Sequence, residues 1–187
     1  MRLFIAILFN VTVNNSLYET IERLKCYAKG TFTEKQNLHL TVNFIGETKR
    51  LEEVKQAMNH AVKKSRAGSF QLSIHGFGRF KRNEGDIYWV GVEKDTTLWR
   101  VQKELVKELK EAGFFEVDDR EYRPHLTLGR RIIVKDDFNP KEFEENITPM
   151  QMEVSRISLM KSERLEGKLV YTEIYQVKLD NKENVVM

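Results

Sequence analysis

Two short stretches of this chain repeat one another. Asn37-Leu38-His39-Leu40-Thr41-Val42 and Arg123-Pro124-His125-Leu126-Thr127-Leu128 share a His, an apolar residue, a Thr and a second apolar residue, offset by 86 positions (125 minus 39). Thr accounts for only 11 of 187 residues, so two of the four histidines meeting this pattern by accident is on the order of one in a thousand. In a strand, side chains alternate between faces. His39 and Thr41 then project from one face, with Leu38, Leu40, Val42 and Phe44 on the other, and His125 and Thr127 stand in the same way against Leu126 and Leu128. Each strand needs a core on one side and room for an imidazole and a hydroxyl on the other.

The rest of the chain mixes helices with strands. Residues 3–9 are apolar on both faces, as in a buried strand. Ser16 with Glu19 makes a capping box ahead of Leu17, Ile21, Leu24 and Ala28, and Gly30 is placed to stop that helix. A second helix carries Leu51, Val54, Met58, Ala61 and Val62 on one face, and a third runs over 98–112 and ends at Gly113. Strands are expected at 38–45, 70–77, 87–92, 125–134, 152–160 and 168–179, the last two forming an antiparallel hairpin. This order is an α+β pattern rather than a doubly wound parallel sheet.

Composition narrows the setting. With 41% hydrophobic and 32% charged residues, the chain can build a core without disulfides, and Cys26 has no second cysteine to pair with. Residues 3–9 are at the short limit for the apolar region of an export signal and no small-residue cleavage site follows, while no other apolar run approaches membrane-spanning length. A cytoplasmic protein with no membrane contact is expected. The net charge of +3 says little about partners, but Arg120, Arg123, Arg130 and Arg131 bracket His125, which marks a place for an anion.

A lone histidine in a strand is most often a hydrogen-bonded structural residue. Two in a shared register with two threonines suit a definite reaction. A phosphodiester beside a ribose hydroxyl needs one group to take a proton from the attacking oxygen and another to protonate the leaving oxygen, and imidazole serves both roles near neutral pH. Thr hydroxyls donate to the non-bridging oxygens where charge builds. A zinc site would need a third protein ligand, and neither His60 nor His75 has metal-ligand spacing with the motifs. Gly76-Phe77-Gly78-Arg79 has neither glycine pattern of a triphosphate-binding loop.

The paired motifs, the Pro-His-Leu-Thr-Leu-Gly-Arg form of the second at 124–130, and the opening order of strand, helix and His-Leu-Thr resemble the 2H phosphoesterase superfamily, and within it the RNA 2',3'-cyclic phosphodiesterases also called 2'-5' RNA ligases. The resemblance covers most of the chain, from Arg2 into the final hairpin. It implies two pseudo-symmetric α+β lobes, each a mainly antiparallel sheet with helices on its outer side and a cleft between them, in one domain over 1–180 with a tail at 181–187. It also implies opening of a terminal 2',3'-cyclic phosphate to a 2'-phosphomonoester, with 2'-5' ligation as a possible reverse use, on RNA ends or tRNA fragments, by a monomer needing no cofactor or metal. In this resemblance His39 is the proton donor and His125 the proton acceptor, with Thr41 and Thr127 beside them. Arg130 matches the arginine after the second motif and is expected to contact phosphate, with Arg123 a second candidate. Whether Arg130 or Arg131 faces the cleft depends on where alternation stops, and Phe44, Phe80, Tyr122 and Trp89 all stand as candidates to stack on a nucleobase. Two other readings keep the cleft: the same chemistry on a small cyclic nucleotide or ADP-ribose cyclic phosphate, and a noncatalytic RNA- or nucleotide-binding module, against which the intact motifs argue.

Overall fold

The computed structural model describes residues 1–179, so the expected tail at 181–187 lies outside the described residues. The elements follow in the order β1 (Arg2–Leu8), α1 (Val11–Tyr27), β2 (Ala28–Phe32), a 3-10 turn (Lys35–Asn37), β3 (His39–Glu47), α2 (Leu51–Ser65), β4 (Phe70–Phe80), β5 (Asp86–Val92), α3 (Thr96–Glu111), β6 (His125–Val134), α4 (Pro140–Glu145), β7 (Met150–Val154), β8 (Arg156–Leu165) and β9 (Lys168–Lys178). They make two sheets, ordered β3-β1-β8-β9 and β2-β6-β5-β4-β7. Every pairing is antiparallel. Helices α2 and α3 pack on each other and on the first sheet, and α1 and α4 on the second. The chain crosses between the sheets repeatedly, so each is built from both halves of the sequence. No helix among the described residues is long and apolar enough to cross a membrane.

Strand β1 is apolar on both faces because it is central. Leu3, Ile5 and Ile7 join the main core, while Phe4 and Ala6 meet Met160 in a small second cluster edged by Leu8 and Tyr171. Helix α3 starts where Asp95 accepts the Leu98 N–H at 2.8 Å and buries Leu98, Val101, Leu105 and Leu109 along one face. Full burial of each such side chain is worth about 1.5–3 kcal/mol.

Four local expectations are corrected. Helix α1 begins at Val11, five residues ahead of Ser16, because Asn10 supplies the N-cap and accepts from Val13 N–H at 2.9 Å. Gly30 does not stop it: the helix ends at Tyr27, and Gly30 lies in β2, where an added Cβ would meet the Arg131 carbonyl oxygen at 2.7 Å. Close approach of β2 to β6 is what requires glycine there. The single strand expected at 152–160 is two, broken at Ser155, with β7 in the second sheet and β8 in the first. The final hairpin turns more tightly than expected, through Glu166 and Gly167 at φ of 50° and 81°, so β8 runs on to Leu165 while β9 keeps its expected start at Lys168.

Candidate active site

Both motif strands carry the same irregularity in the same place. In β3, Thr41 pairs with Ala6 and Asn43 with Ile5, leaving Val42 as an extra residue. In β6, Thr127 pairs with Trp89 and Gly129 with Tyr88, leaving Leu128 extra. Such a bulge reverses the alternation beyond it. Phe44 therefore leaves the face of Leu40 and Val42, where the sequence places it, and emerges beside Phe4 on the face of His39, with ring centroids 6.2 Å apart and 58% exposed. At the equivalent position Arg130 turns to the face of His125 and Thr127. Arg131, left-handed at φ 54° within β6, breaks the regular alternation, and its own side chain lies 3.6 Å from Glu84. Arg130, not Arg131, is the arginine whose charge reaches both motif histidines.

The two histidines are held identically. His39 Nδ1 lies 2.7 Å from the Asn37 carbonyl oxygen, and His125 Nδ1 lies 2.7 Å from that of Arg123. A carbonyl only accepts, so each Nδ1 carries the proton and each Nε2 is the nitrogen that titrates. On His39, Nε2 is 2.9 Å from the Thr41 hydroxyl. Burial pushes the His39 pKa down, the Asn37 bond opposes this, and the positive charges of Arg130 and His125 lower it further. Burial likewise lowers His125, against its Arg123 bond and assisted by Arg130. One guanidinium thus acts on both imidazoles, and β3 packs directly against β6, bringing the two motifs together.

Each ring rests on aromatic side chains. Phe4 and Tyr171 flank His39 at 4.9 and 5.2 Å, and Phe80 and Trp89 flank His125 at 4.9 and 6.4 Å. Trp89 reaches its place by lying over Gly78, where a Cβ would stand 2.4 Å from the indole. Tyr171 is unexpected, since β3 and β9 are opposite edges of their sheet. The turn before β3 reaches the start of β9, where Asn37 Nδ2 donates to the Leu169 carbonyl at 2.8 Å. Of the four aromatic candidates, Tyr122 is withdrawn from any ligand. It packs against Trp99, its hydroxyl donates to the Thr41 carbonyl at 2.8 Å, and burial pushes its pKa far above the ordinary phenol range.

The other expected residues are placed less centrally. Arg123 contributes its carbonyl to His125, while its guanidinium is 73% exposed and pairs with Glu121 at 3.1 Å. His60 lies 3.6 Å from Glu108 and His75 3.8 Å from Glu93, both largely exposed. Among the described residues, no three His, Cys, Asp or Glu side chains gather as a metal-binding group.

A model of the 2'-5' RNA ligase superfamily matches residues 13–166. The chain belongs to that superfamily. An RNA 2',3'-cyclic phosphodiesterase of Thermotoga maritima is 30% identical to this superfamily member over 184 residues, covering 96% of each chain. Another, from Methanothermobacter thermautotrophicus, is 30% identical over 188 residues, covering 93% of this chain and 96% of its own. Escherichia coli LigT in apo form has the same fold, with a TM-score of 0.75 at 22% identity over 96% of this chain and 98% of its own.

Proposed function

We propose that this chain hydrolyses RNA ends bearing a 2',3'-cyclic phosphate to 2'-phosphomonoesters, by metal-independent acid–base catalysis between His39 and His125. The observation that carries the reading is the matched pair of imidazoles, each with Nδ1 fixed on a backbone carbonyl so that Nε2 is the proton-exchanging nitrogen, and each under the charge of Arg130. The names of the two relatives of 30% identity agree with it. His125 Nε2 takes a proton from water as the water oxygen bonds to phosphorus, the bond from phosphorus to O3' breaks, and His39 Nε2 gives its proton to O3'. Thr41, Thr127 and Arg130 donate to the non-bridging oxygens as charge accumulates. Ligation is the same displacement with the 5'-hydroxyl of a second RNA in place of water, leaving a 2'-5' linkage.

The deciding assay uses a short RNA with a 2',3'-cyclic end in EDTA, resolving 2'- from 3'-phosphate. Formation of 2'-phosphate with EDTA present is expected, and turnover that needs added metal would remove the mechanism. One histidine must be neutral and the other charged, so the rate is bell-shaped in pH. Both imidazoles are lowered in the free protein. The optimum of kcat/KM, which reports the free protein, is therefore expected below the ordinary imidazole value of about 6.5. A bound phosphate offsets Arg130 and favours charged His39, so the optimum of kcat lies at higher pH. A flat profile from about pH 5 to 9 would be incompatible with titrating histidines.

Phe44 favours an RNA end over a free mononucleotide. Its exposed ring on the His39 face is a platform for the base of the nucleotide preceding the cyclic end, a second base that a mononucleotide lacks. Phe44→Ala is expected to cut the ratio of kcat/KM for a tetranucleotide over a mononucleotide cyclic phosphate by about tenfold. An unchanged ratio would favour the small-nucleotide reading.

A further inference from the structure

Nothing in the sheet hydrogen bonding sets the distance between the two histidines, because β3 and β6 belong to different sheets. Each imidazole is oriented within its own strand, by a carbonyl two residues upstream. Their separation is held by the packing of β3 against β6 over a shared core and by hydrogen bonds from the segments that lead into the two motifs. Two of these are reciprocal. The Tyr122 hydroxyl, three residues ahead of His125, donates to the carbonyl of Thr41 at 2.8 Å. The Thr33 hydroxyl, six residues ahead of His39, donates to the carbonyl of Thr127, also at 2.8 Å. The segment approaching each motif thus grips the other motif.

Both bonds end on the same atom of the repeat, the carbonyl of the motif threonine, immediately before the extra residue of the bulge. A bulge takes residues out of the regular ladder and leaves a backbone acceptor in need of a partner. Thr33 is anchored further by its own N–H on the Leu128 carbonyl at 2.9 Å. From there residues 34–38 cross to the first sheet and deliver His39. The Tyr122 ring is fixed against Trp99 of α3 at 5.3 Å, and α3 packs on the first sheet. The two hydroxyls are therefore tied to rigid parts of the structure.

We infer that Tyr122 and Thr33 are positioning residues which, through their reciprocal hydrogen bonds to the carbonyls of Thr41 and Thr127, set the spacing of the His39–His125 pair. The inference rests on the paired-histidine reading above. Each hydroxyl is committed to a backbone carbonyl. Removing one hydroxyl leaves each imidazole on its own carbonyl, with its protonation intact, and relaxes only the distance over which the two must act on one phosphorus. A displacement near 1 Å at a reacting centre costs up to about a hundredfold in rate.

The test compares Tyr122→Phe, Thr33→Val, Thr33→Ser and the Tyr122→Phe/Thr33→Val double variant. Each is assayed on a short 2',3'-cyclic RNA at a temperature where circular dichroism finds it folded. Tyr122→Phe and Thr33→Val are each expected to lower kcat about tenfold with KM within about twofold, and with the pH limbs of kcat/KM unmoved. Thr33→Ser, which keeps the hydroxyl, retains the parent kcat. The double variant loses more than the product of the singles, since either clamp alone holds part of the spacing. Folded Tyr122→Phe and Thr33→Val variants with parental kcat, or a loss confined to KM, overturn the proposal. Should Tyr122→Phe fail to fold, the Thr33 pair decides it by the same criterion. A parent protein inactive on RNA and mononucleotide cyclic phosphates alike would instead remove the functional reading, and this inference with it.

Discussion

His39→Ala and His125→Ala are each expected to lower turnover of 2',3'-cyclic RNA ends by about 10²–10⁴-fold, the range over which a positioned acid or base contributes. The two losses should be similar, and the double variant little worse than either single. The imidazoles serve opposite ends of one displacement, so removing one leaves the other without a concerted partner. The structural cost differs between them. His39 lies on the small cluster of Phe4, Ala6 and Met160 and against Tyr171, so its truncation opens a gap beneath the cleft. His125 is less enclosed, and His125→Ala is the variant expected to keep parental stability. Rates and urea midpoints measured together separate the effects. Activity within tenfold of parent in folded His125→Ala would sink the acceptor role, and the same result in folded His39→Ala would sink the donor role.

The motif strands could be read from the chain because their signal is local. The alternation of Leu126 and Leu128 against His125 and Thr127 gives β6 at 125–134, the limits the strand has in the structure. Helix α2 followed from its apolar face in the same way. What could not be read is what depends on a second segment. A bulge is a property of two paired strands, so Val42 and Leu128 look like ordinary core residues until β1 and β5 are laid beside them. For that reason strand alternation alone puts Phe44 with the core and does not distinguish Arg130 from Arg131. Tyr171 reaches His39 from the opposite edge strand of the sheet, over Phe4, and no feature around residue 171 announces it. Thr33 and Tyr122 are likewise unremarkable in sequence, since their acceptors lie 94 and 81 residues away. Strand β2, short and largely polar, lacks the hydrophobic pattern by which strands are recognised.

Arg130→Gln is expected to reduce kcat/KM by about a hundredfold, as loss of a donor aimed at developing negative charge does. It should also move the pH profile, and the sign follows from the cleft. The Arg130 charge lowers both His39 and His125 by disfavouring a second positive charge nearby. Without it both imidazoles titrate at higher pH, so both limbs of the kcat/KM profile shift to the alkaline side. The kcat profile should move less, because bound phosphate already offsets the arginine in the complex. Arg130→Lys separates the two roles. It keeps a positive charge and so the positions of the limbs, but a lysine ammonium cannot offer the planar pair of donors a guanidinium presents to phosphate, and much of the rate loss should remain. Limbs that stay fixed in Arg130→Gln would mean that this guanidinium does not sense the histidines, and a rate fully recovered in Arg130→Lys would reduce its part to charge alone.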